Sequence, residues 1–216
     1  MITAVIPAFN EAETVGDIIQ RTKPHVNKII VVDDGSWDNT SSICQGKGAI
    51  VLKHLLNIGT GGAVMTGIKY VRQHFPESHV IVLDADGQHD PEDIPKFLDI
   101  EGDIIIGTRL GCIEGLEFSK QALNKIASSI CSLFAGIPIE DSESGFRFYR
   151  SHVVKEISCK NFDYGWASEN IINLAKKGFK ISFIPIKTVW GIPSRMGQSR
   201  RGLVYGLKHF LRLLRA

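Results

Sequence analysis

The stretch His79-Val80-Ile81-Val82-Leu83-Asp84-Ala85-Asp86-Gly87-Gln88-His89 decides the fold. Its first half is a short, unbroken apolar run, the pattern of a strand buried on both faces of a parallel sheet. Its second half turns polar at once. In open α/β sheets ligands bind beyond the carboxyl ends of the strands, so the polar half marks a candidate cleft.

The same rhythm extends in both directions. Ile2 to Ala8, Lys28 to Asp33, Ala49 to His54 and Asp103 to Gly107 read as further strands. Between them lie helical patterns. Glu11 to Arg21 carries Val15, Ile18 and Ile19 at helical spacing, with Asn10 as its expected N-cap. Asp38 or Asn39 caps a short helix through Ile43, Gly61 to Gln73 is a helix despite its glycines, and Pro91 opens a helix to Leu98. Strand–helix alternation of this kind predicts an α/β fold: a mostly parallel central sheet with helices on both faces.

The second half of the chain departs from it. Phe118 to Phe134 is a long helix, Asp141 to Arg150 a polar loop and strand, and Ala167 to Lys177 a helix. Lys180 to Val189 is a strand, and Pro185 inside it places it at a sheet edge. No linker or repeat interrupts the chain. Residues 1–192 are expected to form one domain and residues 193–216 a loop and amphipathic helix on its surface or on a membrane.

Composition excludes several classes. With 216 residues, 44% hydrophobic and 22% charged, the chain is ordinary for a globular protein and can bury a core without staples. No apolar run is long enough to span a bilayer. Met1 to Pro7 lacks the basic region of a signal peptide and reads as the first strand. Cys44, Cys112, Cys131 and Cys159 are spaced for neither zinc nor disulfides, and are expected to be buried thiols.

Charge is distributed unevenly. Residues 1–169 hold 15 Lys+Arg against 23 Asp+Glu, a net −8, whereas residues 170–216 hold 10 Lys+Arg and no acid, a net +10. A basic tail on an acidic body is expected to meet something anionic. On a helical wheel Leu203, Leu207, Phe210, Leu211 and Leu214 share one stripe, flanked by Arg201, Lys208, Arg212 and Arg215. That suits a helix lying in an anionic membrane interface, or one docked on the core with a solvated basic edge. Nucleic acid fits poorly: the acidic body repels it and no aromatic–basic interleaving occurs.

Three polar clusters end strands: Asn10-Glu11, Asp33-Asp34-Gly35-Ser36 and Asp84-Ala85-Asp86-Gly87-Gln88-His89. If the last stays extended, alternation puts Asp84, Asp86 and Gln88 on one side. Two carboxylates and an amide oxygen suit Mg²⁺ or Mn²⁺, with positions left open for substrate phosphates. Each cluster alone can equally be a turn. Together on one sheet edge they describe a cleft for a polyol or nucleotide.

Four blocks carry a resemblance: Pro7-Ala8-Phe9-Asn10-Glu11, Val32-Asp33-Asp34-Gly35-Ser36-x-Asp38-x-Thr40, Asp84-Ala85-Asp86-Gly87-Gln88-His89 and Ser144-Gly145-Phe146-Arg147. In this order they resemble family 2 glycosyltransferases, in particular the polyprenyl-phosphate transferases that include dolichyl-phosphate mannose synthase. The resemblance implies a GT-A fold, a nucleoside-diphosphate sugar donor, an inverting transfer to a polyprenyl (dolichyl) phosphate, and Mg²⁺ or Mn²⁺ held by Asp84, Asp86 and Gln88. It places Pro7, Phe9, Glu11, Asp33, Asp34, Asp84, Ala85 and Asp86 around the nucleotide sugar. It puts Asp141 and Glu169 beside Asp86 in the catalytic set, Asp141 close to the transferred sugar. Arg109, Lys120, Asn124, Arg147 and Arg195 fall at basic or polar positions for the acceptor and its phosphates.

A lipid phosphate is already anionic, so the transfer needs no strong base, and Asp141 is expected to orient rather than deprotonate. Unless it pairs with Arg147 or Arg150, it faces the sugar. Three positions depart from the family: Thr60 stands where lysine is usual, Lys120 where arginine is, and Glu143 where glutamine or threonine is frequent. The implied setting is peripheral, on the cytoplasmic face of a membrane, with a transmembrane partner protein possible. Alternatives are a glycan or small hydroxylated acceptor, or a nucleotide-sugar-binding subunit without turnover.

Overall fold

The computed structural model describes residues 1–109, 118–160 and 165–187, and the side chains of 118–123 lie outside that description. Seven strands form one sheet: β1 (Ile2–Ala8), β2 (Lys28–Asp33), β3 (Ile50–Lys53), β4 (His79–Val82), β5 (Ile104–Thr108), β6 (Arg147–Tyr149) and β7 (Ile181–Pro185). Their order is β3-β2-β1-β4-β6-β5-β7. Every pairing is parallel except those of β6, which runs antiparallel between β4 and β5. The short antiparallel β6 is the departure from the expected rhythm. β7 is an edge strand, and Pro185 is its last residue.

Side chains alternate across the strands and build two cores. Val5, Ile30, Val32, Val80, Val82, Ile104 and Ile106 face α3 (Thr60–His74), α5 (Phe118–Ala135), α6 (Ser151–Val154) and α7 (Trp166–Lys176). Ala4, Ile6, Val31, Ile81, Leu83 and Ile105 face α1 (Val15–Thr22), α2 (Thr40–Gly46) and α4 (Ile94–Leu98). Helices therefore cover both faces, as the continuous apolar strands require. α3 lies so close to β1 that a Cβ on Gly67 would stand 2.4 Å from Val5 Cγ1, which is why that glycine sits mid-helix.

β2 continues from β1 to one side and β4 lies on the other, so chain direction across the sheet reverses at β1/β4. Such a reversal leaves a crevice at the carboxyl ends of the flanking strands. The turns after β1, β2, β4 and β5 all open there.

Asn10 is not the cap of α1. That helix begins at Val15, and Asn10 adopts a left-handed φ of 57°, a conformation asparagine tolerates better than most residues. Asn39 holds the N-cap position of α2 without a side-chain cap bond, and the Asp38 carboxylate accepts from the Thr40 N–H at 3.0 Å. Cys44 and Cys131 are buried thiols, whereas Cys159 is half-buried. Cys112 lies outside the described residues, as do the 192/193 division and the basic helix.

Candidate active site

Two acidic turns form the cleft, and they are built differently. The turn after β2 is closed on itself and stitched to the turn after β1. Backbone N–H groups of Asn10, Glu11 and Ala12 donate to Ser36 Oγ (2.9 Å), Thr40 Oγ1 (2.9 Å) and Asp38 Oδ2 (3.2 Å). Asn10 Oδ1 accepts from the Trp37 N–H at 3.1 Å. The Ser-x-Asp-x-Thr spacing is thus a row of acceptors for a neighbouring turn.

Asp33 and Asp34 serve the same scaffold. Asp33 accepts from the Ser36 N–H (2.8 Å) and the Ser41 hydroxyl, with Lys53 Nζ at 3.6 Å. Burial pushes its pKa up, but these hydrogen bonds and Lys53 outweigh it and hold Asp33 below the ordinary value. Asp34 accepts from His54 Nδ1 (2.7 Å), the Ile58 N–H (3.0 Å) and the Gly59 N–H (2.8 Å), pinning the loop that leads into α3. His54 Nε2 also reaches Thr66 Oγ1 on α3 at 3.0 Å. Both carboxylates are buried. These contacts brace the wall of the cleft at the end of β2, where the nucleotide is expected.

The turn after β4 is open. Asp84, Asp86 and Gln88 are half-buried and line the cleft. They are not brought together by strand alternation, because β4 ends at Val82 and the chain turns through Gly87 at a φ of 81°. Asp86 Oδ1 accepts the Gln88 N–H at 3.0 Å. Burial pushes Asp84 up to about 6 against the pull of Arg109 and Arg147. Burial and then the charge of Asp84 raise Asp86 also. These are carboxylates short of positive charge, the reverse of Asp33.

Gly145 explains part of the Ser-Gly-Phe-Arg block. A Cβ there would stand 2.8 Å from Asp84 Oδ2, so any larger residue would push the carboxylate from its present position. His89, adjoining the motif, is buried and accepts the Asp84 N–H at Nδ1 (3.2 Å). Burial lowers it to about 4, so it is neutral. It braces the turn from behind, its ring 5.2 Å from that of Phe146.

Arg109 and Asp141 form the third component. The guanidinium grips the carboxylate through Nε–Oδ2 (2.9 Å) and a terminal nitrogen to Oδ1 (2.9 Å). Asn124 Nδ2 (3.2 Å) and the Glu143 N–H (3.1 Å) donate to Oδ1 as well. Asp141 is fully buried. Burial raises its pKa, but Arg109 more than compensates and holds it below the ordinary value. It pairs with Arg109, not with Arg147 or Arg150, and is a poor base.

Arg147 closes the Ser-Gly-Phe-Arg block. It is fully buried, and its nitrogens donate to the carbonyls of Ser144 (2.7 Å), Ala167 (2.7 Å) and Ser142 (2.9 Å), with Trp166 beneath at 5.1 Å. It ties the 142–144 loop to α7 through three of its five N–H donors. Glu169 Oε1 accepts the Lys160 N–H at 2.9 Å, and Oε2 lies 3.4 Å from Cys159 Sγ. Pro7 and Ala85 are buried, Glu11 is nearly so, and Phe9 meets Trp37 edge-on at 5.1 Å. The side chain of Lys120 and all of Arg195 lie outside the described residues.

Residues 3–158 match the family model described as Glycosyl transferase family 2. The chain belongs to that family. It is 29% identical to the UDP-N-acetylglucosamine–dolichyl-phosphate N-acetylglucosaminyltransferase of Methanococcus voltae, over 99% of this chain and 95% of the relative. It is 28% identical to the polyprenol monophosphomannose synthase of Mycolicibacterium smegmatis, over 84% of this chain and 75% of that one. Among solved structures it is similar to glucosyl-3-phosphoglycerate synthase of Mycobacterium tuberculosis in complex with Mn²⁺, UDP and glucosyl-3-phosphoglycerate. That match has a TM-score of 0.72 at 17% identity and covers 96% of this chain and 78% of that one. The glycosyltransferase has the GT-A fold. Among its described residues no group of three or more His, Cys, Asp and Glu clusters as a metal site, and the candidate oxygen set is two carboxylates and an amide.

Proposed function

We propose that the chain is an inverting glycosyltransferase that moves a sugar from a nucleoside-diphosphate sugar to a polyprenyl phosphate. The observation that carries this is the Asp84–Asp86 pair at the carboxyl end of β4. Both carboxylates are raised by burial, and Asp86 also by the charge of Asp84. A divalent cation relieves that repulsion, and two carboxylates with Gln88 suit Mg²⁺ or Mn²⁺ while leaving positions for phosphate oxygens. When bound, such an ion stabilises the charge developing on the departing nucleoside diphosphate.

The chain's own residues supply the rest. Arg109 acts electrostatically on Asp84 and is held by Asp141, so it is set to bind a phosphate beside the acidic pair. A guanidinium fixed in this way positions an anionic acceptor for in-line attack without reorganising. The acceptor phosphate is itself the nucleophile and carries no proton that must be removed. The low basicity of Asp141 fits that chemistry, and its role is positioning Arg109. Phe9, Glu11 and the wall built by Asp33 and Asp34 bound the nucleoside end. Asn124 and Glu169 border the acceptor side, with Lys120 and Arg195 as further acceptor ligands. The basic stretch 193–216 attaches the enzyme to the cytoplasmic face of a membrane, with or without a transmembrane partner.

The test incubates the protein with Mn²⁺ or Mg²⁺, labelled nucleotide sugars and dolichyl phosphate, and follows label into the organic phase. Metal-dependent lipid label, lost in Asp86→Ala, is expected and names the sugar. Donor hydrolysis without lipid label points to another acceptor, and donor binding without any turnover to a binding subunit.

A further inference from the structure

Eight large apolar side chains stand exposed among the described residues, and four of them sit together at the mouth of the cleft. Trp37 is 80% exposed, Leu55 99%, Leu56 76% and Ile58 47%. They occupy the loops after β2 and β3, which lie backbone to backbone: a Cβ on Gly35 would stand 2.9 Å from Asn57 N and Leu56 C. Exposed apolar side chains normally fold back onto the surface. Here the loop is held out by Asp34, which fixes the Ile58 and Gly59 N–H groups, and by His54 bridging Asp34 and Thr66.

We propose that Trp37, Leu55, Leu56 and Ile58 form a rigid lip that seats in a lipid bilayer, bringing the cleft mouth to the membrane surface. Three observations select a bilayer over a protein. The tip protrudes, with Leu55 touched by almost nothing of its own chain, and a protruding apolar tip is accommodated by a deformable apolar medium. Residues 54–68 contain no Asp, Glu, Lys or Arg, and residues 39–76 contain Lys47, Lys53, Lys69 and Arg72 but no acid, within a body that is net acidic. Apolar tips flanked by cations suit an anionic interface, where tryptophan is also favoured. Finally, β7 runs parallel to β5 and so ends on the same side of the sheet as this lip. The 29 residues beyond Lys187 carry six Lys and Arg and no acid. Two anion- and lipid-compatible stretches therefore leave the sheet at its carboxyl end.

The contact is independent of turnover and is tested without substrate. The full chain is mixed with phosphatidylcholine vesicles with and without phosphatidylglycerol, and partition is measured by sedimentation. The Leu55→Asp/Leu56→Asp variant is expected to lose about tenfold in partition with an unchanged melting temperature, since neither side chain packs on the core. Leu133→Asp, an equally exposed apolar position on α5 (81%), is expected to lose nothing. Brominated lipid is expected to quench wild-type fluorescence more than that of Trp37→Phe. Equal partition of wild type and the double variant overturns the proposal, as does equal loss in Leu133→Asp. So does a concentration-dependent dimer that the double variant breaks while vesicle binding stays intact, which would assign the lip to a second copy. Absent glycosyl transfer with lip-dependent partition would leave this inference standing and overturn only the proposed reaction.

Discussion

The turns after β2 and β4 look alike in sequence, each an Asp-rich strand end with a glycine, yet they carry opposite electrostatics. In Asp33-Asp34-Gly35-Ser36 every carboxylate is buried against N–H, hydroxyl, imidazole or ammonium donors, and Asp33 is held below its ordinary pKa. In Asp84-Ala85-Asp86-Gly87-Gln88 both carboxylates are raised by burial, and Asp86 also by the charge of Asp84. Burial with partners stabilises a carboxylate, whereas burial beside another carboxylate stores a demand for a cation. The first turn is built as scaffold, and the second is the one we propose for the chemistry.

The largest test of this contrast exchanges charge at each turn. Asp84→Asn and Asp86→Ala should abolish Mn²⁺ binding by calorimetry and reduce transfer by about a hundredfold or more, while leaving the melting temperature of the metal-free protein unchanged or higher. Asp33→Ala should do the reverse, costing about 3 kcal/mol by denaturant unfolding because buried donors lose their acceptor. Similar stability losses at both turns would break the comparison.

Gly145→Ala should come next. Its methyl must displace Asp84, so Mn²⁺ affinity is expected to fall about tenfold with circular dichroism unchanged. Equal affinity would mean that Asp84 does not hold the ion from its present position.

Titration separates the turns more gently. Asp84, raised to about 6, binds its proton more tightly folded than unfolded. Its contribution to metal-free stability is therefore present at low pH and lost as pH rises towards 6. Asp33, lowered, contributes stability at neutral pH that is lost as pH falls through its folded value. Mn²⁺ affinity should accordingly weaken as pH drops through about 6, and the metal-free slope in that window should vanish in Asp84→Asn.

The smallest effect is expected at the stitching between turns. Ser36→Ala removes the acceptor for the Asn10 N–H and should cost about 1 kcal/mol, with a modest rise in donor KM and kcat nearly unchanged. A fall in kcat instead would give the β2 turn a part in the chemistry.

Much of this was legible in the chain. Apolar runs located six of the seven strands, and Pro185 placed β7 at an edge. Strand ends marked the cleft, and the four motif blocks identified the family. What stayed hidden shares a cause. β6 was legible as a strand within 141–150, but its antiparallel place between β4 and β5 was not. The resemblance puts Arg147 near the phosphates, whereas its burial and its three bonds to the carbonyls of residues 142, 144 and 167 come from the fold. Asp141 finds Arg109, 32 positions away, instead of the nearer arginines.

By itself, then, the sequence determined the local and periodic features: the strand pattern, the two faces of helices, and acids at the strand ends beside glycines that permit sharp turns. These depend on each residue's own size, polarity and backbone freedom. Which acid is matched by donors and which has its pKa raised was decided only by tertiary structure. A carboxylate's pKa depends on the donors and charges around it, and here those come from residues 2 to 63 positions away.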